Sequence, residues 1–221
     1  MPRIRRSLLV PEPSTNHCTW RSHGTSRPLD GDEARSKFRE LLKNYKDRHG
    51  IQILSYCLMG THPHIVCTST LGQVGFSAFW QVVNGVFARW YNRRTNGRGQ
   101  VVVDRVRSPR IQDDRHQLTV MRYGDMNPVR AGLARSAGAW QWSSHRHYAY
   151  GEPDALVTDA PSYLALGRTP RDRRRAYLHL FARPLVDEVA VHRADLVDVL
   201  FIGDPVWQGC ERVRCEMGPS G

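Results

Sequence analysis

The chain has 221 residues, 40% hydrophobic and 24% charged, which excludes a disordered protein and leaves room for one well-buried domain with an appendage or for two small domains. Lys and Arg outnumber Asp and Glu by 32 to 21, for a net charge of +11. Most of the cations are arginines, whose fork suits phosphate, so the balance points to nucleic acid, with a merely solvated basic surface as the plain alternative. Five cysteines without CxxC spacing argue against a disulfide framework or a zinc knuckle. No apolar run approaches a membrane span or a signal-peptide core, so the expected location is the cytoplasm.

Residues 1 to 16 are basic and then proline-rich, an arm along a phosphate backbone or a frayed end. Asn16 to His23 reads as a first strand. Asp30-Gly-Asp-Glu33 resembles a helix start with a capping-box Glu, followed by Ala34, Phe38, Leu41, Leu42 and Tyr45 at helical spacing, with Gly50 closing the helix.

Ile51 to Met59 reads as a largely buried strand, Gly60-Thr61 as a turn and His62 to Thr68 as the returning strand of a hairpin. Strand side chains alternate, so His62, His64, Val66 and Thr68 share one side while Pro63, Ile65 and Cys67 share the other. Two imidazoles thus project from the mouth of the hairpin. By itself a His-x-His pair suits a transition metal or lies harmlessly on a sheet surface.

Phe76, Phe79, Trp80, Val83, Phe87, Trp90 and Tyr91 mark a second amphipathic helix, with its aromatic stripe in the core. A polar, cationic turn over Asn92 to Gly99 leads to a strand restarting at Val101 to Val103. The order strand, helix, hairpin, helix, strand predicts an α+β fold, a ferredoxin-like antiparallel sheet with helices on one face and the other face free. Asp113 or Asp114 caps a third helix that carries His116, Val120, Tyr123 and Asn127 along one stripe and stops at Pro128. Gly124, inside its last turn, costs about 1 kcal/mol of helix propensity relative to alanine.

Thr169 to Phe181 begins with a cap and a first-turn proline and reads as a helix docking through Tyr177, Leu180 and Phe181. Residues 183 to 221 have no clear period, and Glu211 to Gly221 are expected to be loose. The expected organisation is a domain over 1–150 and a basic, mostly helical extension over 151–221.

Leu58-Met-Gly-Thr-His-Pro-His-Ile-Val66, then Met121-Arg-Tyr-Gly-Asp-Met-Asn-Pro-Val-Arg-Ala-Gly-Leu133, then Trp142-Ser-Ser-His-Arg-His-Tyr148 resemble the single-tyrosine HUH transposases. These include insertion-sequence enzymes and REP-associated tyrosine transposases. The likeness runs in order over roughly residues 14 to 150. It implies a ferredoxin-like catalytic domain, an endonuclease and strand transferase that cuts hairpin-flanked single-stranded DNA through a covalent 5′-phosphotyrosine. Residue by residue, it makes His62 and His64 metal ligands, Tyr123 the nucleophile and Asn127 the residue completing the shell of a divalent ion, Mg or Mn. This sequence departs from the family at Thr61, where Asn, Asp or Glu is common, at Pro63 and at Gly124-Asp125. No Trp precedes the Arg105 to Ser108 segment.

A phenol is a poor nucleophile at neutral pH, so a Lewis acid on the phosphate suits such chemistry. Arg93, Arg94, Arg98, Arg107, Arg110, Arg122 and Arg130 are the candidate phosphate contacts, in the loop before the tyrosine helix and the segments around it. Trp140 and Trp142 either stack on bases or pack at the domain edge. The expected partner is single-stranded or hairpin DNA, bound by one chain or by a homodimer. Two alternatives remain: a catalytically inactive or domesticated hairpin-DNA-binding protein, and a phosphodiesterase that uses water as its nucleophile. No HExxH, phosphate-loop or nucleophile-elbow pattern is present.

Overall fold

The structure, a computed structural model, describes residues 5–23, 26–103, 105–182 and 199–217. After a short helix α1 (Arg6–Leu9) the chain runs through β1 (Ser14–Cys18), α2 (Asp32–Lys46), β2 (Ile51–Leu58), β3 (Pro63–Ser69), α3 (Gly72–Thr95) and β4 (Arg110–Ile111). These strands lie in the order β2-β3-β1-β4, each pair antiparallel, which is the ferredoxin-like sheet. A fifth strand, β5 (Phe201–Ile202), adds to β4 in parallel. The remaining helices are α4 (Asp114–Arg130), α5 (His145–Tyr150), α6 (Pro161–Leu164), α7 (Pro170–Ala182) and α8 (Pro205–Met217).

Both sheet faces are covered. Phe38, Leu41 and Leu42 of α2 and Phe76, Phe79, Trp80, Val83 and Phe87 of α3 pack on Cys18, Ile51, Ile53, Ile65 and Cys67. The face expected to be free carries a second core, in which Leu54 and Val66 meet Val120, Met121 and Tyr123 of α4 together with Tyr148, Tyr163 and Tyr177. This cover comes from helices far along the chain, whose packing partner local periodicity does not specify.

Other local expectations are revised. No capping box forms at α2; Gly31, at φ +96°, is its N-cap, and Asp30 pairs instead with Arg27 and Arg35. Gly50 does close the helical segment, at φ +62°, where a Cβ would come 2.6 Å from Thr70 Oγ1. The strand expected at 101–103 is reduced to a bridge between Ser22 and Val102, a second bridge joins Thr19 to Arg107, and pairing resumes as β4. Pro109 cannot donate in that ladder, although its carbonyl accepts from His17 N–H at 3.0 Å.

Pro128 does not stop α4, which continues to Arg130. A proline in the last turn removes one hydrogen bond, and the end is re-tied by Leu133 N–H on Pro128 O and by Gly132 at φ +68°. Residues 211–217 are helical, not loose, and Glu211 of α8 is buried against Arg110. No helix of the described residues is long and apolar enough to cross a membrane.

Downstream segments also bind both borders of the sheet. At β2, Leu58 N–H donates to Trp142 O and Ser144 N–H to Tyr56 O, each at 2.9 Å. At β4, Arg110 N–H donates to Leu200 O at 3.0 Å and Gln112 N–H to Ile202 O at 2.9 Å.

Candidate active site

The hairpin is built around a bulge. The β2 register shifts between Ile53 and Ser55, so Ile51, Ile53, Tyr56 and Leu58 all face α2 and α3 while Leu54 faces α4. Carbonyls there are taken from outside: Thr158 N–H donates to Ile53 O at 2.7 Å and Tyr148 Oη to Leu54 O at 2.5 Å. Strand alternation then places the returning residues as expected, with Ile65 and Cys67 in the first core and Val66 in the second. His64 shares the Val66 face, and its ring meets Tyr123 edge-on, centroids 5.5 Å apart and planes at 84°.

His62 Nε2 lies 3.0 Å from His64 Nε2. Beyond the pair are two groups not among the expected site residues: His17 Nε2, 3.0 Å from His64 Nδ1, and Thr61 Oγ1, 2.7 Å from His62 Nδ1, the latter noted above only as a departure from the family. His17 belongs to β1 and lies opposite Val66, and two pairs further along Thr15 and Thr68 join hydroxyls at 2.9 Å on the same face. Alternation within β1 was the signal for it, once β1 is known to neighbour β3.

Helix α4 is held at its start by Asp113, which accepts from His116 N–H at 3.0 Å. It passes close over β3, since a Cβ on Gly124 would lie 3.7 Å from His64 Cβ. Tyr123 is 7% exposed, and the Arg130 guanidinium stands 4.8 Å from its ring centre. One turn after Tyr123, the Asn127 side-chain nitrogen is buried without a hydrogen-bond partner among the described residues.

The His62 and His64 Nε2 atoms stand at hydrogen-bond distance, 3.0 Å, which is also about the spacing of two imidazole nitrogens held at right angles, as in an octahedral shell, about 2.1 Å from one ion. Among the described residues no group of three His, Cys, Asp or Glu has metal-holding geometry, so a third protein donor has to be of another type. Asn127, one turn after Tyr123 on α4, carries an amide oxygen of that type, while its buried nitrogen, a donor, has no ligand role.

The fold has a solved counterpart. Over 73% of this chain and 96% of the other, it is similar to the structure of a REP-associated tyrosine transposase bound to a REP hairpin, with a TM-score of 0.56 and 20% sequence identity. No family model and no curated protein matches the sequence. At that identity the likeness establishes the fold.

The third motif has a structural role. His145 Nδ1 is 3.0 Å from Asp125 Oδ2, which also accepts from Tyr177 Oη at 2.9 Å, and all three residues are buried. Two residues after Tyr123, α4 is thus tied to α5 and α7. Burial, and then the charge of Asp125, push the Tyr177 phenol well above its ordinary value, so it stays a donor. Trp140 and Trp142 pack on α2, where the Arg35 guanidinium lies 4.9 and 6.0 Å from their rings and Trp142 Nε1 donates to Asp32 at 3.0 Å.

The arginines separate into two kinds. Arg93 and Arg94 are exposed at the end of α3, where Arg94 pairs with Glu33, and Arg98 is exposed in the turn that follows. Arg122, 3% exposed, lies over Phe181, while Arg110 is held by Glu211 with its guanidinium over Phe201 and Trp207. Those two charges serve the interior, and the sequence could not distinguish them from surface cations. Arg107 instead joins Arg6 and Arg105 around a cleft of about 390 Å³ floored by Leu9, Val106, Pro109, Val199 and Leu200, with no acidic side chain among the described lining residues. Burial, and then the like charge of Arg105, hold the Arg6 guanidinium below its ordinary value.

Proposed function

We propose that this protein is a divalent-metal-dependent tyrosine transposase that nicks and rejoins hairpin-flanked single-stranded DNA. The observation that carries the reading is the convergence of Tyr123 with His64 and His62 from distant parts of one chain. The solved counterpart, a tyrosine transposase bound to a REP hairpin, supports the hairpin as substrate class.

In this reading Tyr123 Oη attacks the phosphorus of the scissile phosphodiester. The phosphorus–O3′ bond breaks, the proton lost by the phenol is balanced by protonation of the leaving 3′-oxygen, and the 5′-phosphate stays on the tyrosine. Arg130, over the Tyr123 ring, favours the negative charge that develops on the phenol oxygen. His62, His64 and Asn127 would hold the ion, which supplies Lewis-acid polarisation of the phosphate. The cleft lined by Arg6, Arg105 and Arg107 concentrates positive charge suited to flanking phosphates above an apolar floor suited to a base.

A second reading, a hairpin-binding protein without nicking activity, draws on the burial of Tyr123, 7% exposed. Incubating the protein with a single-stranded hairpin oligonucleotide and MnCl₂, then resolving products on a denaturing gel, separates the two. The transposase gives a covalent adduct that Tyr123→Phe and EDTA each abolish. No adduct from the native protein, with salt-sensitive hairpin binding intact, establishes the second reading. Cleavage that survives in Tyr123→Phe would mean that water is the nucleophile.

A further inference from the structure

The hairpin histidines are the middle of a longer line. His17, with no exposed surface, stacks on His64 at 5.2 Å with planes 15° apart, and its Nε2 meets His64 Nδ1. With the His62 and His64 Nε2 contact and the Thr61 hydroxyl on His62 Nδ1, the sequence of partners is His17, His64, His62, Thr61. A neutral imidazole has one N–H, so the protons along this line can be counted.

For both Nε2 lone pairs to face one cation, His64 and His62 have to carry their protons on Nδ1. His64 Nδ1–H then donates to His17 Nε2, and His62 Nδ1–H donates to Thr61 Oγ1. The competing arrangement puts a proton between the two Nε2 atoms and closes the site. The open arrangement forms when His17 carries its own proton on Nδ1 and the Thr61 hydroxyl turns a lone pair to His62, so that each Nδ1–H meets an acceptor.

We propose that His17, together with Thr61, fixes the tautomer and tilt of the paired imidazoles so that both Nε2 atoms are open to a divalent cation. This rests on the metal site proposed above. His17 touches neither the cation nor the DNA in this scheme; it is a positioning residue, reaching the site through His64. Thr61, where the resembling family carries Asn, Asp or Glu, keeps an acceptor oxygen at that place.

The test is Mn²⁺ binding to the full chain, followed by the electron paramagnetic resonance signal of the free ion, for the native protein, His17→Gln and His17→Leu. Gln returns an acceptor oxygen; Leu fills the space without one. The expected result is native-like binding in His17→Gln and about 10- to 100-fold weaker binding in His17→Leu, with urea melts confirming that both are folded. Long-range ¹H–¹⁵N spectra of the native protein loaded with Zn²⁺, which need no variant to fold, should show His64 protonated at Nδ1. Native-strength binding by His17→Leu, or a His64 proton on Nε2 in the loaded protein, overturns the proposal while leaving the metal reading standing. If the native protein binds neither ion, the metal site itself is refuted and this role falls with it.

Discussion

Replacing Tyr177 by Phe removes one oxygen from the interior and leaves a ring packed by Tyr148, Tyr163 and Phe181, at centroid distances of 5.4, 5.8 and 5.2 Å. The lost oxygen donates to Asp125 Oδ2 at 2.9 Å in a site where both residues are buried. A hydrogen bond to a charged group contributes about 1.5–3 kcal/mol, and because Asp125 keeps His145 the lower end, about 1.5 kcal/mol, is expected. In Asp125→Ala the hydroxyl has already lost its acceptor, so adding Tyr177→Phe there should cost about nothing, a coupling of about 1.5 kcal/mol. Urea unfolding of the four proteins at pH 7.5 measures this cycle. An equal cost for Tyr177→Phe in both backgrounds would refute the reasoning, since the hydroxyl would then act through something other than the carboxylate.

Two glycines should respond oppositely to alanine. In Gly75→Ala the new Cβ comes 2.5 Å from His49 O, so overpacking of about 1–3 kcal/mol outweighs the roughly 1 kcal/mol of helix propensity gained. In Gly124→Ala the nearest atom is 3.7 Å away, and the propensity gain of about 1 kcal/mol survives. Urea midpoints that move the same way would contradict this. Burial opposes ionisation of Asp154, but hydrogen bonds from Tyr56, Arg39 and Leu156 N–H outweigh it and hold the carboxyl below its ordinary value. A depressed folded value means stability that is present above the unfolded pKa of about 3.9 and lost as pH falls through the folded one. Asp154→Asn should therefore flatten the decline in melting temperature below about pH 4, and an unchanged acid limb would show that the carboxylate is not responsible.

Local periodicity carried much of this architecture. The apolar stripes of α2 and α3 and the alternation from His62 to Thr68 depend on neighbours within a few residues, and the folded chain keeps them. The approach of Tyr123 to His64 followed from a helix stripe and a family likeness taken together. His17 was not legible because its role depends on which strand lies beside β3, and the His145 motif because its partner Asp125 is twenty positions away on another helix. Arg110 and Arg122 looked like surface charge because sequence does not show that Glu211, or the ring of Phe181, closes over them. The helix at 205–217 was missed since its apolar contact is made by Trp207 against Phe201, with little periodic signal along its length.

The late-sequence segments that border the sheet bear on how the chain survives its own synthesis. Until residues 140–144 reach β2 and residues 199–202 reach β4, the sheet has two rows of open backbone donors and acceptors, a template for strands of any other chain nearby. Protection against aggregation is thus acquired last, and a protein shortened before residue 199 would present the β4 row permanently, soluble only while dilute.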